Sequence, residues 1–196
     1  NIFLIGMCGI AGIIFKNNAQ PDWSRPTVSN MLDVIAHRGP DGRDIFIGEG
    51  FAFGHVRLAI IDVQNGQQPF VSFDGSCVMV FNGEIYNFKD LIHEHNLPIH
   101  NNSDCMTIPQ LYLKYVKHNP DGQNLMHDFV ELFKYDIKGE FAFLLFEFDK
   151  FQNLKQITSC RDQIGIRPMY YHHPTTETKN LMFSSEIKAM CSFEDK

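Results

Sequence analysis

The stretch EFAFLLFEFD, residues 140–149, carries apolar side chains at both odd and even positions. A strand of this kind is apolar on both faces and has to lie between two packed layers. Shorter runs around it read as further strands: residues 154–160, 169–172 and 181–184 on one side, and 8–15, 44–47, 52–58 and 77–81 on the other. Gly9 and Gly12 in the first of these allow close approach of another backbone. The run 77–81 is expected to stop abruptly at Asn82-Gly83, because Asn-Gly is a strong turn signal. Between these runs lies a helical block. Residues 88–95 form a short helix, Ile108, Leu111, Tyr112, Tyr115 and Val116 mark a stronger one, and Leu125, Met126, Phe129, Val130 and Phe133 a third. Helical spacing of Val28, Met31, Leu32 and Ile35 predicts a helix over 27–36 with Thr27 near its N-cap, and 185–191 reads as a last short helix. Residues 37–44, HRGPDGRD, form a turn punctuated by Pro40 and Gly42, and 64–69 is loop. Many strands with a helical block between them define an α+β fold of two packed sheets flanked by helices.

The chain has 196 residues, enough for one large domain with a sizeable core. A net charge of −6 without any Lys/Arg cluster argues against nucleic acid and anionic membranes as partners. Five cysteines, widely spaced and without a CxxC pair, argue against a disulfide framework or a zinc site and for a reducing, cytoplasmic setting. His93 and His95 are two apart and do not share a helix face, so no metal is expected there. No run is long enough for a membrane helix. The apolar start, NIFLIGMCGIAGIIF, lacks both the basic flank and the small-residue cleavage site of a signal peptide.

Several residues have two readings. Cys8 is either a buried structural cysteine or, once Met7 is removed, a nucleophile carrying its own base: a free α-amine of pKa ~8 beside a thiol of ~8.5. Asn82-Gly83 is either a turn or a pair of donors, one amide side chain and one open backbone N–H, able to hold a developing oxyanion. Arg57 sits in an otherwise apolar strand and needs a carboxylate, either internal or belonging to a ligand. Asp104, just before a helix, is either an N-cap, a role Ser103 also offers, or a functional acid. Glu84 alone reads as a solvated acid. His37 and His55 read as structural.

In order along the chain stand MCGIAGI, HRGPDG, GHVRLAIID, Gln68-Pro69, FNGEIYN, SDC, GEFAF, RDQIGIRPMYY and FSSEIKA. Together, from Met7 to Ala189, they resemble the N-terminal glutaminase domain of glutamine-dependent asparagine synthetases, a class II, N-terminal-nucleophile glutamine amidotransferase. The resemblance implies a four-layer αββα sandwich of the N-terminal nucleophile hydrolase type. It implies that Cys8 attacks the glutamine side-chain amide to form a thioester, and that the Asn82 side chain and the Gly83 N–H are the oxyanion donors. It also implies that Arg57 holds the substrate α-carboxylate, that Leu58, Ile60 and Ile61 follow in the substrate-binding strand, and that Glu84 and Asp104 receive the α-amine. Leu58-Ala59-Ile60-Ile61 sets the chain apart from the hexosamine- and purine-forming sister families, which usually carry Tyr or Trp and then Ser or Thr after this Arg. One departure is Met106, where the asparagine-synthetase branch usually has Glu; it touches helix capping and leaves Asp104 intact.

On this resemblance, residues 1–7 form a leader ending in an initiator Met7, read as an appendage, an over-called start or a propeptide. Residues 8–196 form the glutaminase domain. The SGGxDS pyrophosphate loop of a C-terminal synthetase domain is missing from the sequence. The expected substrate is L-glutamine, hydrolysed to glutamate and ammonia. The ammonia passes to aspartate activated in the absent synthetase domain, where ATP and Mg2+ act. No cofactor is expected in this domain, and a second copy of the chain is a further candidate partner. Two other readings stand beside it: an asparagine-synthetase-like amidotransferase acting on another carboxylate, and a non-catalytic binding module that kept the fold.

Overall fold

The computed structural model describes residues 7–15, 22, 24–59, 67–99, 104–117, 126–173 and 180–191. The strands are β1 (Gly9–Ile14), β2 (Gly42–Gly48), β3 (Phe51–Arg57), β4 (Phe70–Val71), β5 (Cys77–Ile85), β6 (Gly139–Phe148), β7 (Leu154–Arg161), β8 (Tyr170–His172) and β9 (Leu181–Ser184). The helices are α1 (Ser24–Val34), α2 (Phe88–Glu94), α3 (Thr107–Tyr112), α4 (Met126–Tyr135) and α5 (Ile187–Cys191). Among the described residues the strands form two sheets, β2-β3-β1-β9-β8 and β4-β5-β6-β7, with antiparallel neighbours throughout. No helix among them is long and apolar enough to cross a membrane.

Strand alternation sorts the side chains into three apolar layers. Ala11, Ile13, Ala52 and Val56 pack against Val28, Met31, Leu32 and Ile35 from α1 and its C-terminal flank, and against Ala189 and Met190 of α5. Met79, Phe81, Ile85, Phe141, Phe143 and Leu145 pack against Leu91, Ile108, Leu111, Tyr112, Phe129 and Leu132 of α2, α3 and α4. Between the sheets lie Ile10, Phe51, Phe53, Val78, Val80, Leu144, Phe146 and Phe148. The result is the αββα sandwich, and β6 is buried continuously from Phe141 to Phe148, as its two apolar faces demand. Among the described residues the closest ring pair is Phe53 on Phe146, with centroids 3.9 Å apart and planes 7° from parallel. Gly9 and Gly12 leave the room that β3 requires: a Cβ on Gly12 would lie 2.7 Å from the Phe53 Cβ.

Three expectations need correction, and one of the two readings of Asp104 falls. β5 does not stop at Asn82-Gly83: the pairing with β6 continues through Asn82↔Ala142 and Gly83↔Phe141 to Ile85↔Gly139. α1 begins at Ser24, so Thr27 lies inside the helix rather than at its cap; Pro26 falls in the first turn, where its missing N–H costs nothing. β3 ends at Arg57, so Leu58 lies just beyond it. The Asp104 side chain does not cap α3, whose N-cap position is Met106, with no capping side chain. Met106 is instead buried in the core beneath the helices. Ile60, Ile61 and the leader residues 1–6 lie outside the described residues.

Because Phe146 stacks between the sheets, Phe146→Ala should lower the unfolding free energy by about 3–5 kcal/mol, read as a fall in urea midpoint without a change in slope.

Candidate active site

Four strands lining the inter-sheet layer change character at the same end. On the inward face, β3 reads Phe51, Phe53, His55, Arg57; β5 reads Val78, Val80, Asn82, Glu84; β6, taken backwards, reads Phe148, Phe146, Leu144, Ala142, Glu140. β1, also taken backwards, runs through Ile10 to Cys8. Antiparallel pairing places these polar ends together.

Cys8 lies immediately before β1, half-buried, with its sulfur against the backbone of Leu58. Leu58 N–H donates to Cys8 Sγ at 3.4 Å, and the thiol faces Leu58 O at 3.7 Å. Burial pushes the Cys8 pKa above the ordinary thiol value; the Leu58 backbone contact and the charges of Arg57, Arg167 and Arg38 pull the other way. The main chain here is held from HRGPDG. Arg38 Nε donates to Cys8 O at 3.0 Å and Arg38 Nη1 to Glu186 Oε1 at 3.0 Å. Asp41 Oδ2 accepts from Ala59 N–H at 2.9 Å. His37 also meets Glu186, at 2.9 Å, a structural contact.

Asn82 is 1% exposed, and its Nδ2 has no hydrogen-bond partner among the described residues. A buried amide left this way is costly unless something else is meant to accept from it. Gly83 offers a second donor. Just past β5, Tyr86 N–H donates to Lys138 O on the β6 side, whereas Phe81 and Ile85 donate away from β6, to Gln68 Oε1 at 2.7 Å and Asp104 Oδ2 at 2.9 Å. By alternation the Gly83 N–H points to that same outer edge, between the two. Only glycine fits there: φ is +151°, and a Cβ would lie 2.1 Å from Glu140 O.

The acids divide. Asp104, 5% exposed, uses Oδ2 on Ile85 N–H and takes the Cys105 thiol on Oδ1 at 3.3 Å. Glu84 is opposite Glu140 across β5 and β6, and Glu140 pairs with Arg167. Arg167 is presented by the loop after β7. The Asp162 carboxylate gathers the N–H groups of Gly165, Ile166, Arg167 and Phe141. Burial alone would raise the Asp162 pKa, but these four donors win and hold it below the usual carboxylate range. His55 is fully buried, its ring bonded to the Phe81 carbonyl, and burial drives its pKa down to about 3, so it is neutral.

Cys8, Arg57, Leu58, Asn82, Gly83 and Glu84 thus stand at one end of the layer, with Asp104 on the adjoining edge of β5. Arg38, Asp41, Gln68, Glu140 and Arg167 were not expected at the site. The signal available for them was their place inside the motifs around Cys8 rather than any local pattern.

A two-sheet αββα sandwich with a cysteine leading into its inner strand is the fold of the N-terminal nucleophile hydrolases. The chain belongs to the glutamine amidotransferase domain family, which it matches over residues 7–195. It is 38% identical over 191 residues to asparagine synthetase (glutamine-hydrolysing) 2 of Bacillus subtilis, covering 95% of this chain and 22% of that protein. It is 32% identical over 210 residues to an amidase of Gibberella zeae, covering 95% of this chain and 27% of that protein. Among solved structures it resembles the glutamine phosphoribosylpyrophosphate amidotransferase of B. subtilis, with a TM-score of 0.68 and 19% identity over 94% of this chain and 43% of that one. The chain therefore spans about a quarter of the length of these curated relatives.

Since the Arg57 charge lowers the Cys8 pKa, Arg57→Leu should move the pH midpoint of Cys8 alkylation by iodoacetamide to higher pH, followed by mass spectrometry of the Cys8 peptide.

Proposed function

We propose that this domain hydrolyses the side-chain amide of L-glutamine. The observation that carries the reading is the buried, partnerless Nδ2 of Asn82 at the end of the layer where Cys8 sits. Removal of Met7 and whatever precedes it frees the α-amine of Cys8. That amine takes the thiol proton, directly or through a water, and the sulfur attacks the amide carbon. The carbonyl oxygen becomes an oxyanion held by Asn82 Nδ2 and the Gly83 N–H, donors fixed before the charge develops. Collapse breaks the C–N bond, the protonated amine gives its proton to the departing nitrogen, and ammonia leaves a thioester on Cys8. Water then attacks the thioester, with the amine again as base, to release glutamate and restore the thiol.

Arg57 binds the α-carboxylate, Glu84 and Asp104 the α-amine, and Leu58, Ile60 and Ile61 line the substrate. One cation and two anions suit the two ends of a zwitterion. In the longer protein, the ammonia passes to aspartate activated by ATP and Mg2+ in a C-terminal synthetase domain. Among the described residues no three His, Cys, Asp or Glu side chains converge as a metal needs, and no step here runs through one. The free state of all five cysteines fits a cytoplasmic setting. A second reading, in which another carboxylate is the acceptor, is favoured by the amidase relative. A non-catalytic module gives no reason for the unpaired amide of Asn82 and the open Gly83 N–H to lie at the same end as Cys8.

Glutamate release from glutamine tests the reading in two proteins, one beginning at Cys8 and one retaining residues 1–7. Turnover is expected only in the first, with Cys8→Ala inactive and Asn82→Ala reduced about 100- to 1,000-fold in kcat. Full turnover by the extended protein, its leader shown intact by mass spectrometry, would overturn the role of the free amine.

A further inference from the structure

The outer edge of β5 is covered by a succession of unlike groups. β4 pairs with Val78 and Met79 and reaches no further. Two residues on, the side-chain amide of Gln68 takes the place of a strand. Its Oε1 accepts from Phe81 N–H at 2.7 Å, and its Nε2 donates to Phe81 O at 2.9 Å. This is the exchange of two bonds that one residue of an antiparallel strand would make, here made by a primary amide, which carries a donor and an acceptor side by side. Four residues beyond Phe81, Asp104 takes Ile85 N–H. Gly83 lies between, and among the described residues nothing bonds its N–H on that edge. Gln68 is buried, 9% exposed, with both polar atoms committed to Phe81. The neutral His55 ring holds the same carbonyl from the inter-sheet side.

We propose that Gln68 is a positioning residue for the oxyanion site, a side-chain substitute for a strand that pins Phe81 and ends the edge pairing one step short of Gly83. A longer β4 would pair with Gly83 and consume its N–H. With neither strand nor amide at this place, Phe81 would leave a buried N–H unsatisfied and the edge would lose its register. The two-bond hold on Phe81 fixes the peptide directly before Asn82 and leaves the next outward N–H open. This inference rests on the reading of Asn82 and Gly83 as oxyanion donors.

The test is steady-state glutamate release by the full-length protein beginning at Cys8, compared with its Gln68→Met and Gln68→Glu variants. Gln68→Met keeps the length and removes both bonds. It should lower kcat about 10- to 100-fold and leave KM within about twofold, because an interaction made only with the developing oxyanion is absent from the bound substrate. Hydrogen exchange at the Phe81 amide should accelerate in parallel. Gln68→Glu keeps an acceptor for Phe81 N–H and loses the donor. It should show a smaller loss of the same kind, and it carries the test if Gln68→Met does not fold. A raised KM with kcat retained would make Gln68 a substrate contact and overturn the proposal, as would an unchanged kcat. If the unsubstituted protein releases no glutamate, the functional reading itself fails and this inference with it. Turnover by the unsubstituted protein with normal kcat in both variants sinks this inference alone.

Discussion

Two sheets packed face to face share one dry layer, and the rest of this molecule is arranged around how that layer ends. Phe51, Phe53, Phe146 and Phe148 fill one part of it with packed rings, Phe53 stacked on Phe146 at 3.9 Å. Each buried aromatic of this size contributes about 2–3 kcal/mol. That packing fixes the separation and the register of the sheets. Strand alternation then dictates what stands two and four residues further along each strand, and there the inward positions turn polar together: Cys8, His55, Arg57, Asn82, Glu84 and Glu140. The site is the polar end of the core, set in place by the aromatic end.

Such an end is expensive unless its polar groups are used. Most of them are. Arg38 divides its guanidinium between Cys8 O and Glu186, Asp162 gathers four backbone N–H groups, and Gln68 and Asp104 serve the edge of β5. Among the described residues Asn82 Nδ2 is buried without a partner, as are His55 Nε2, Arg38 Nη2 and Arg167 Nε, and the Gly83 N–H beside it is open on the outer edge of β5. Donors held in place by such supports are what a preorganised oxyanion site requires, since they need no rearrangement when charge appears.

Much of this was legible in the sequence because period and burial are local. The double-sided apolar run at β6 forces a layered fold, and Arg57 in an otherwise apolar strand asks for a carboxylate partner. The continuation of β5 was not legible. Asn-Gly reads as a turn by local preference, but the β6 backbone passes so close to Gly83 that only a residue without a side chain can stay in the ladder. The same competition between local and distant partners decided Asp104, which looks like a helix cap beside α3 and instead bonds Ile85 on another strand. Arg38, Gln68 and Arg167 act across separations in sequence that no short pattern encodes. Gln68 reaches Phe81, 13 residues on, and Arg38 reaches Cys8, 30 residues back.

The central claim is that Cys8, the Asn82-Gly83 donors and Arg57 form one glutamine-shaped site at the polar end of the layer. The most direct test is a crystal structure of the protein beginning at Cys8 after reaction with a glutamine-shaped electrophile, a chloroketone that replaces the side-chain amide. The account predicts a covalent bond to Cys8 Sγ, the adduct oxygen between Asn82 Nδ2 and Gly83 N, and the α-carboxylate on Arg57. An adduct on another cysteine, or one on Cys8 whose oxygen turns away from Asn82 and Gly83, would contradict it.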